Sequence, residues 1–299
     1  MTSRDGIRKI LIPLDGSEPA ESIVNYVGGL AKRLGAGVHL LGVVVPPDPD
    51  LPADLCGSET TASAAQYLHA VSEKLEASGV RVTEESVEGL PSVEIIKRAD
   101  DGNCDLIALA TRGRSASGPN LLGITTDRVL RSPSIPVLVV PPEDDEGGSA
   151  PPGGSDVSAI IVGLDGSEVA AAAVKPAKKL AKALGVKMIL VRVAEPVSTL
   201  GGAAKYYGLV DDHARHYLQR VADEITRDGV EVQHDVRAGR AQRELTRCAD
   251  EHPGSLMVLS THGWSRRGDW ALGSTTDRII RAATHPVLVV HPEHRSRGS

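Results

Sequence analysis

The chain carries 299 residues, 41% hydrophobic and 24% charged, a length and balance suited to two ordinary globular domains with separate cores. Its net charge of −6 argues against a nucleic acid or an anionic membrane as the main partner. Aromatic residues make up only 2% and Phe is absent, so the cores fall to Val, Leu, Ile and Ala, the usual filling of buried parallel strands.

The N-terminal apolar stretch is interrupted by Pro13 and stops at Asp15, too short for a signal-peptide core. No apolar run approaches the roughly 20 residues of a membrane span. The cytoplasm is the expected compartment. Ile10–Leu14 reads as a buried strand, followed by a helix over 18–34 that Gly35 is placed to end. A second strand is expected over Val38–Val45. Core spacing at Leu68, Val71 and Leu75 marks a second helix, and Val80 and Val82 mark a third strand. A helix over Ser92–Asp100, a strand over Leu106–Ala110 and a last short helix and strand close the unit. The acidic, Pro/Gly-rich stretch that follows cannot pack a core and reads as a linker.

Beyond it the pattern returns. Shifting the chain by 150 residues lays Leu14-Asp15-Gly16-Ser17-Glu18 on Leu164-Asp165-Gly166-Ser167-Glu168 without a gap. The same shift matches Thr125-Thr126-Asp127-Arg128 with Thr275-Thr276-Asp277-Arg278, and Pro136–Val140 with Pro286–Val290. The second copy therefore repeats the first, with strands at Ile160–Leu164, Met188–Ala194 and Leu256–Ser260. Its helices are expected at 168–184 (ended by Gly185), around Leu218, Val221 and Ile225, and at Gln242–Asp250; Val230 and Val232 mark its third strand. The domains are placed at 1–142 and 157–299, with the linker at 143–156. Strict alternation of strand and helix implies α/β domains with parallel sheets covered on both faces. Cys56, Cys104 and Cys248 are widely spaced with no CxxC pair, so they read as reduced, incidental thiols.

In such sheets ligands bind beyond the carboxyl ends of the strands. The strand-one exits at Asp15 and Asp165 and the glycine-rich loops after strand four are the candidate places. Glycine permits close backbone approach to phosphate, and Ser274 and Thr275 stand where a helix begins, able to cap it or to meet an anion there. A plain glycine turn before a capped helix is the alternative. His262 and Arg112 read as loop lining. Arg112, Arg114, Arg266 and Arg267 read as a solvated loop face, with contact to phosphate as the alternative, and Trp264 and Trp270 as a cover or as packing.

Taken together, the LDGSE segments, the loops and the PVLVV strands resemble the universal stress protein family over nearly all of both halves. The family's ATP-binding pattern runs Gly, two residues, Gly, nine residues, Gly, then Ser or Thr. The second copy matches at Gly263, Gly273 and Ser274, with Ser260 in place of the first Gly. The first copy matches at Gly113 and Gly123, but Ala110 replaces the first Gly and Ile124 the hydroxyl residue.

The resemblance implies two tandem doubly wound domains, each an open five-stranded parallel sheet of order 3-2-1-4-5. It implies ATP as the ligand, with any magnesium carried by the phosphates. In the second domain the implied lining is Gly163, Leu164, Asp165 and Val193 at the first two strand exits. Ser260, Thr261, His262 and Gly263 continue it after strand four, and Gly273, Ser274, Thr275 and Thr276 complete it at the helix. In the first domain the lining is Pro13, Leu14, Asp15 and Val43, then Ala110, Thr111, Arg112 and Gly113, and finally Gly123, Thr125 and Thr126. It implies pairing through the last strands, Val137–Val140 with Val287–Val290, within the chain or in a homodimer. The expected function is an ATP-binding stress-response or signalling module. A slow ATPase or nucleotidyl-transferring enzyme using the same pocket is the alternative, as is an interaction module whose first domain has lost nucleotide binding. A Walker loop, a dinucleotide fingerprint and an evident acid–base pair are absent from the sequence, which favours binding over rapid catalysis.

Overall fold

The structure, a computed structural model, describes residues 6–46, 60–111, 122–132, 135–141, 156–194, 203–261, 272–282 and 284–292. The chain divides into two compact units between Ala150 and Pro151. Apart from Asp156, the expected linker lies outside the described residues.

In the first unit the elements are β1 (Lys9–Leu14), α1 (Glu18–Leu34), β2 (Gly37–Val44), α2 (Thr61–Ala77), β3 (Val82–Glu88), α3 (Pro91–Asp101), β4 (Leu106–Ala110), α4 (Ile124–Leu130) and β5 (Val137–Val140). Its strands lie in the order β3-β2-β1-β4-β5, all parallel. The second unit contains β6 (Ala159–Gly163), α5 (Glu168–Ala171), α6 (Val174–Leu184), β7 (Lys187–Ala194), α7 (Ala203–Arg227), β8 (Val232–Ala238), α8 (Ala241–Asp250), β9 (Ser255–Ser260), α9 (Ser274–Arg281) and β10 (Val287–Val290). Its order is β8-β7-β6-β9-β10, again parallel. The order reverses direction after the first strand of each unit. Right-handed crossovers then send the first helices of each unit to one face and the later pair to the other, and α3 packs on α4 as α8 packs on α9.

Core residues come from the central strands, where Ile10, Leu11, Ile12, Ile160, Ile161 and Val162 are fully buried. Edge strands read differently. The sequence VTEESVE of β3 holds only half-buried and exposed residues, and its charges discourage pairing with another edge. Val80 and Val230 are buried but precede these strands, which continue further through polar residues than the apolar pattern suggests.

Helix α1 spans the expected range. Ser17 caps its start by accepting the Ala20 N–H, and Gly35 ends it at φ 64. The second copy departs from this: the single helix expected over 168–184 is two, α5 and α6, separated at Ala172 and Ala173. Pro176, where the first copy has Tyr26, supplies the reason. It has no N–H to give the Ala172 carbonyl and its ring crowds that turn, so the chain restarts with Pro176 inside the first turn of α6. In α7, Leu218 and Ile225 are buried as expected, whereas Val221 is half-exposed and Ala222 takes the inward place.

Cys104 and Cys248 are buried free thiols. Burial raises both above the usual thiol range, Cys248 to about 11, so they stay protonated and poorly nucleophilic. Cys56 lies outside the described residues. Among the described residues no helix is long and apolar enough to cross a membrane.

Candidate nucleotide site

Each unit brings its first and fourth strands side by side, so their exits adjoin. At the first exit the Asp-Gly-Ser turn builds itself. The Ser17 N–H and hydroxyl both donate to the Asp15 Oδ1, at 3.0 and 2.5 Å, while Ser17 Oγ accepts the Ala20 N–H. The second copy repeats this with Asp165 and Ser167 at 2.8 and 2.6 Å. Gly16 and Gly166 take φ 72 and 89, the left-handed region where a side chain is costly. The short turn fixes the Asp carboxylate just past the strand, exposed in Asp15 and half-buried in Asp165. Pro13, Gly163, Val43 and Val193 are half-buried at the ends of the adjacent strands, and Leu14 and Leu164 are buried.

At the fourth exit, the Thr111 N–H donates to Val140 O and the Thr261 N–H to Val290 O, extending the ladder by one residue. The chain then leaves and returns: the Gly123 N–H donates to Thr111 O at 2.9 Å and the Gly273 N–H to Thr261 O at 2.5 Å. This closure sets the first turns of α4 and α9 against the strand ends.

Gly123 and Gly273 are the N-caps of those helices, with φ near −60 that any residue adopts. What glycine contributes here is the missing side chain. No side-chain oxygen caps either helix, so the first-turn N–H groups at 124–126 and 274–276, which have no partner within their helix, point toward an approaching anion.

Thr126 and Thr276 are buried, and their hydroxyls donate to Ala110 O at 3.0 Å and Ser260 O at 2.9 Å. Those protons are therefore committed to stapling helix to strand. Thr126, one of the lining residues that the resemblance implies, can therefore offer an anion its backbone N–H but not its hydroxyl proton. Ser274 and Ile124 are both exposed, and Thr125 and Thr275 are half-buried. Arg112, Gly113, His262 and Gly263 lie outside the described residues.

Sequence comparison decides the family. The universal stress protein family matches residues 6–141 and again 157–291. The chain belongs to the universal stress protein family. A universal stress protein of Methanocaldococcus jannaschii is 33% identical over 138 residues, covering 44% of this chain and 81% of the relative. One from Synechocystis is 22% identical over 312 residues, covering 94% and 99%. The crystal structure of a universal stress protein from Archaeoglobus fulgidus superposes with a TM-score of 0.70 at 23% identity, covering 95% and 98%, a likeness of fold.

Within this universal stress protein the two strand-one exits are unequal in a way the repeat matches do not reveal. Arg192 of β7 stands where β2 has Gly42. Its guanidinium lies 5.6 Å from the centroid of the Tyr217 ring, and a Cβ built on Gly166 would lie 3.0 Å from one of its nitrogens. In the first copy Tyr67 donates to Glu21 at 3.3 Å. Ala171 replaces that carboxylate in the second copy, and the buried Tyr217 hydroxyl has no hydrogen-bond partner among the described residues. Burial also raises the Tyr217 pKa, which keeps the hydroxyl a donor. The signal was present in the sequence as two mismatches, Gly42 against Arg192 and Glu21 against Ala171; attention to matching residues passes over them.

Proposed function

We propose that this protein binds ATP at these strand exits and acts as a nucleotide-dependent stress-response or signalling module in the cytoplasm. The observation that carries the reading is the pairing, in each copy, of an uncapped helix N-terminus with a fixed aspartate at the neighbouring strand exit. The helix end suits phosphate, through backbone N–H groups and the helix dipole. The aspartate suits a neutral donor such as a ribose hydroxyl. Magnesium would enter with the phosphates. Exposed Ile124 in place of Ser274 supports a weaker site in the first domain.

Mass analysis of ligand released from freshly purified protein, followed by calorimetric titration of the emptied protein, tests this. Release of an adenine nucleotide and binding of ATP are expected; absence of both overturns it. Gly263→Val in a folded protein should abolish binding at the second site by obstructing backbone approach. Turnover of saturating ATP with magnesium should stay far below many product molecules per site per minute.

The last strands carry a second part of the proposal: Val137–Val140 and Val287–Val290 pair the domains within one chain. Their wholly apolar sequences favour a covered edge. Independent tumbling of the two halves in relaxation measurements would refute pairing, and a dimeric mass would point to pairing between chains.

A further inference from the structure

A cleft of about 370 Å3 opens in the second domain, lined by Arg240, Ala241, Gln242, Thr275 and Arg278. Arg240 immediately precedes α8, and Thr275 and Arg278 lie one turn apart on α9, so the cleft falls between the start of α8 and the side of α9 that runs from its first turn to its last. The Gln242 side-chain nitrogen lies 3.5 Å from the Arg278 carbonyl and spans the walls.

Other arginines nearby are paired. Arg247 meets Glu244 at 2.6 Å, Arg281 meets Asp277 at 2.9 Å, and Arg237 meets Asp235 at 2.7 Å. Arg240 and Arg278 have no carboxylate partner among the described residues. Two guanidiniums without a carboxylate partner among the described residues thus line one cavity beside the starts of α8 and α9, and both charged side chains on its lining are positive. The first domain lacks half of this arrangement: Leu90, 58% exposed, stands in Arg240's place.

We infer that this cleft is an anion subsite for the terminal phosphates of a nucleoside polyphosphate bound in the second domain. The inference rests on the proposed nucleotide site, to which Thr275 also belongs. Inner phosphates at the N–H groups of Ser274 and Thr275 leave the tail beside the cleft. Guanidinium groups suit that tail because their paired N–H groups match two phosphate oxygens at once. A monophosphate or a cyclic nucleotide has no group to place there. The second domain therefore selects by tail length.

The test is calorimetry on the full, nucleotide-free protein with ATP, ADP and AMP, read at the tighter site. The double variant Arg240→Leu/Arg278→Gln serves as comparison. Both positions are exposed, and Leu is what the first domain carries at the first of them. Wild type should bind ATP more tightly than ADP, and ADP more tightly than AMP. The double variant should lose about tenfold in ATP affinity, two exposed charge contacts being at stake, with AMP affinity unchanged. The loss should shrink as salt is raised. AMP binding with an ATP advantage that survives in the variant overturns the subsite and leaves the nucleotide site standing. Failure of wild type to bind any of the three overturns the nucleotide site itself, and the subsite with it.

Discussion

Ile124 and Ser274 occupy the same place at the start of α4 and α9, and the difference between them sets the expected order of affinity. Ser274 offers a hydroxyl to a phosphate oxygen, worth roughly 1.5–3 kcal/mol when the acceptor is charged. That corresponds to about ten- to a hundredfold in binding. With the Thr126 proton held by Ala110 O, Thr125 is the first-turn hydroxyl of α4 that remains to compensate. Ile124→Ser should therefore strengthen the weaker site, and Ser274→Ile should weaken the stronger one by that factor. Calorimetry showing two equal sites in the wild type would remove the basis for this. A second residue-scale difference concerns acid. Burial lowers His285, only partly offset by Asp250, and burial with Lys9 lowers His39. An imidazole with a folded pKa below its unfolded value of about 6.5 binds its proton more readily in the unfolded chain. Stability is complete above pH 6.5 and is lost as pH falls through the lowered folded values. Melting temperatures should decline from pH 7 to 5. His285→Ile, which installs the first copy's Ile135, should make that decline shallower; an unchanged slope would exclude His285 as a cause.

At the scale of elements, the staple between α9 and β9 predicts a structural effect on binding. Thr276→Val keeps the shape of the side chain but leaves the buried Ser260 carbonyl unpaired, which costs about 1–3 kcal/mol. Denaturant unfolding should show that loss, and ATP affinity should fall even though the hydroxyl touches no phosphate. Unchanged stability in this variant would mean the carbonyl is satisfied otherwise. The same elements mark how far sequence reading reaches. Strand-helix alternation was legible because short apolar runs and a helical period of Leu and Val survive in both copies. The break between α5 and α6 was not, although Pro176 stood in view, because the first copy's unbroken helix was carried across. The polar length of β3 and β8 was hidden because an edge strand held on one side needs little apolar surface. The places of Asp15, Gly123 and their counterparts, at strand exits and helix starts, were readable from spacing. The commitment of Thr126 and Thr276 depends on a helix meeting a strand 16 residues earlier in the chain, which no local pattern encodes.

Considered whole, the molecule is a duplication whose copies kept the frame and diverged in charge around the ligand end. The second copy has Arg192 and Arg240 where the first has Gly42 and Leu90, and a hydroxyl at Ser274 where the first has Ile124. All three differences favour an anion in the second domain. The chain is thus expected to carry one strong and one weak site, filled in order as nucleotide concentration rises. The closure of the second loop at its base, where the Gly273 N–H meets Thr261 O, has an optical consequence. Both tryptophans of the chain, Trp264 and Trp270, fall within that loop. Indole emission excited near 295 nm therefore originates in the second domain alone. ATP should alter that emission with the affinity of the tighter calorimetric phase, and filling of the weaker site should be dark. An emission change that follows the weaker phase would reverse the assignment of the two sites.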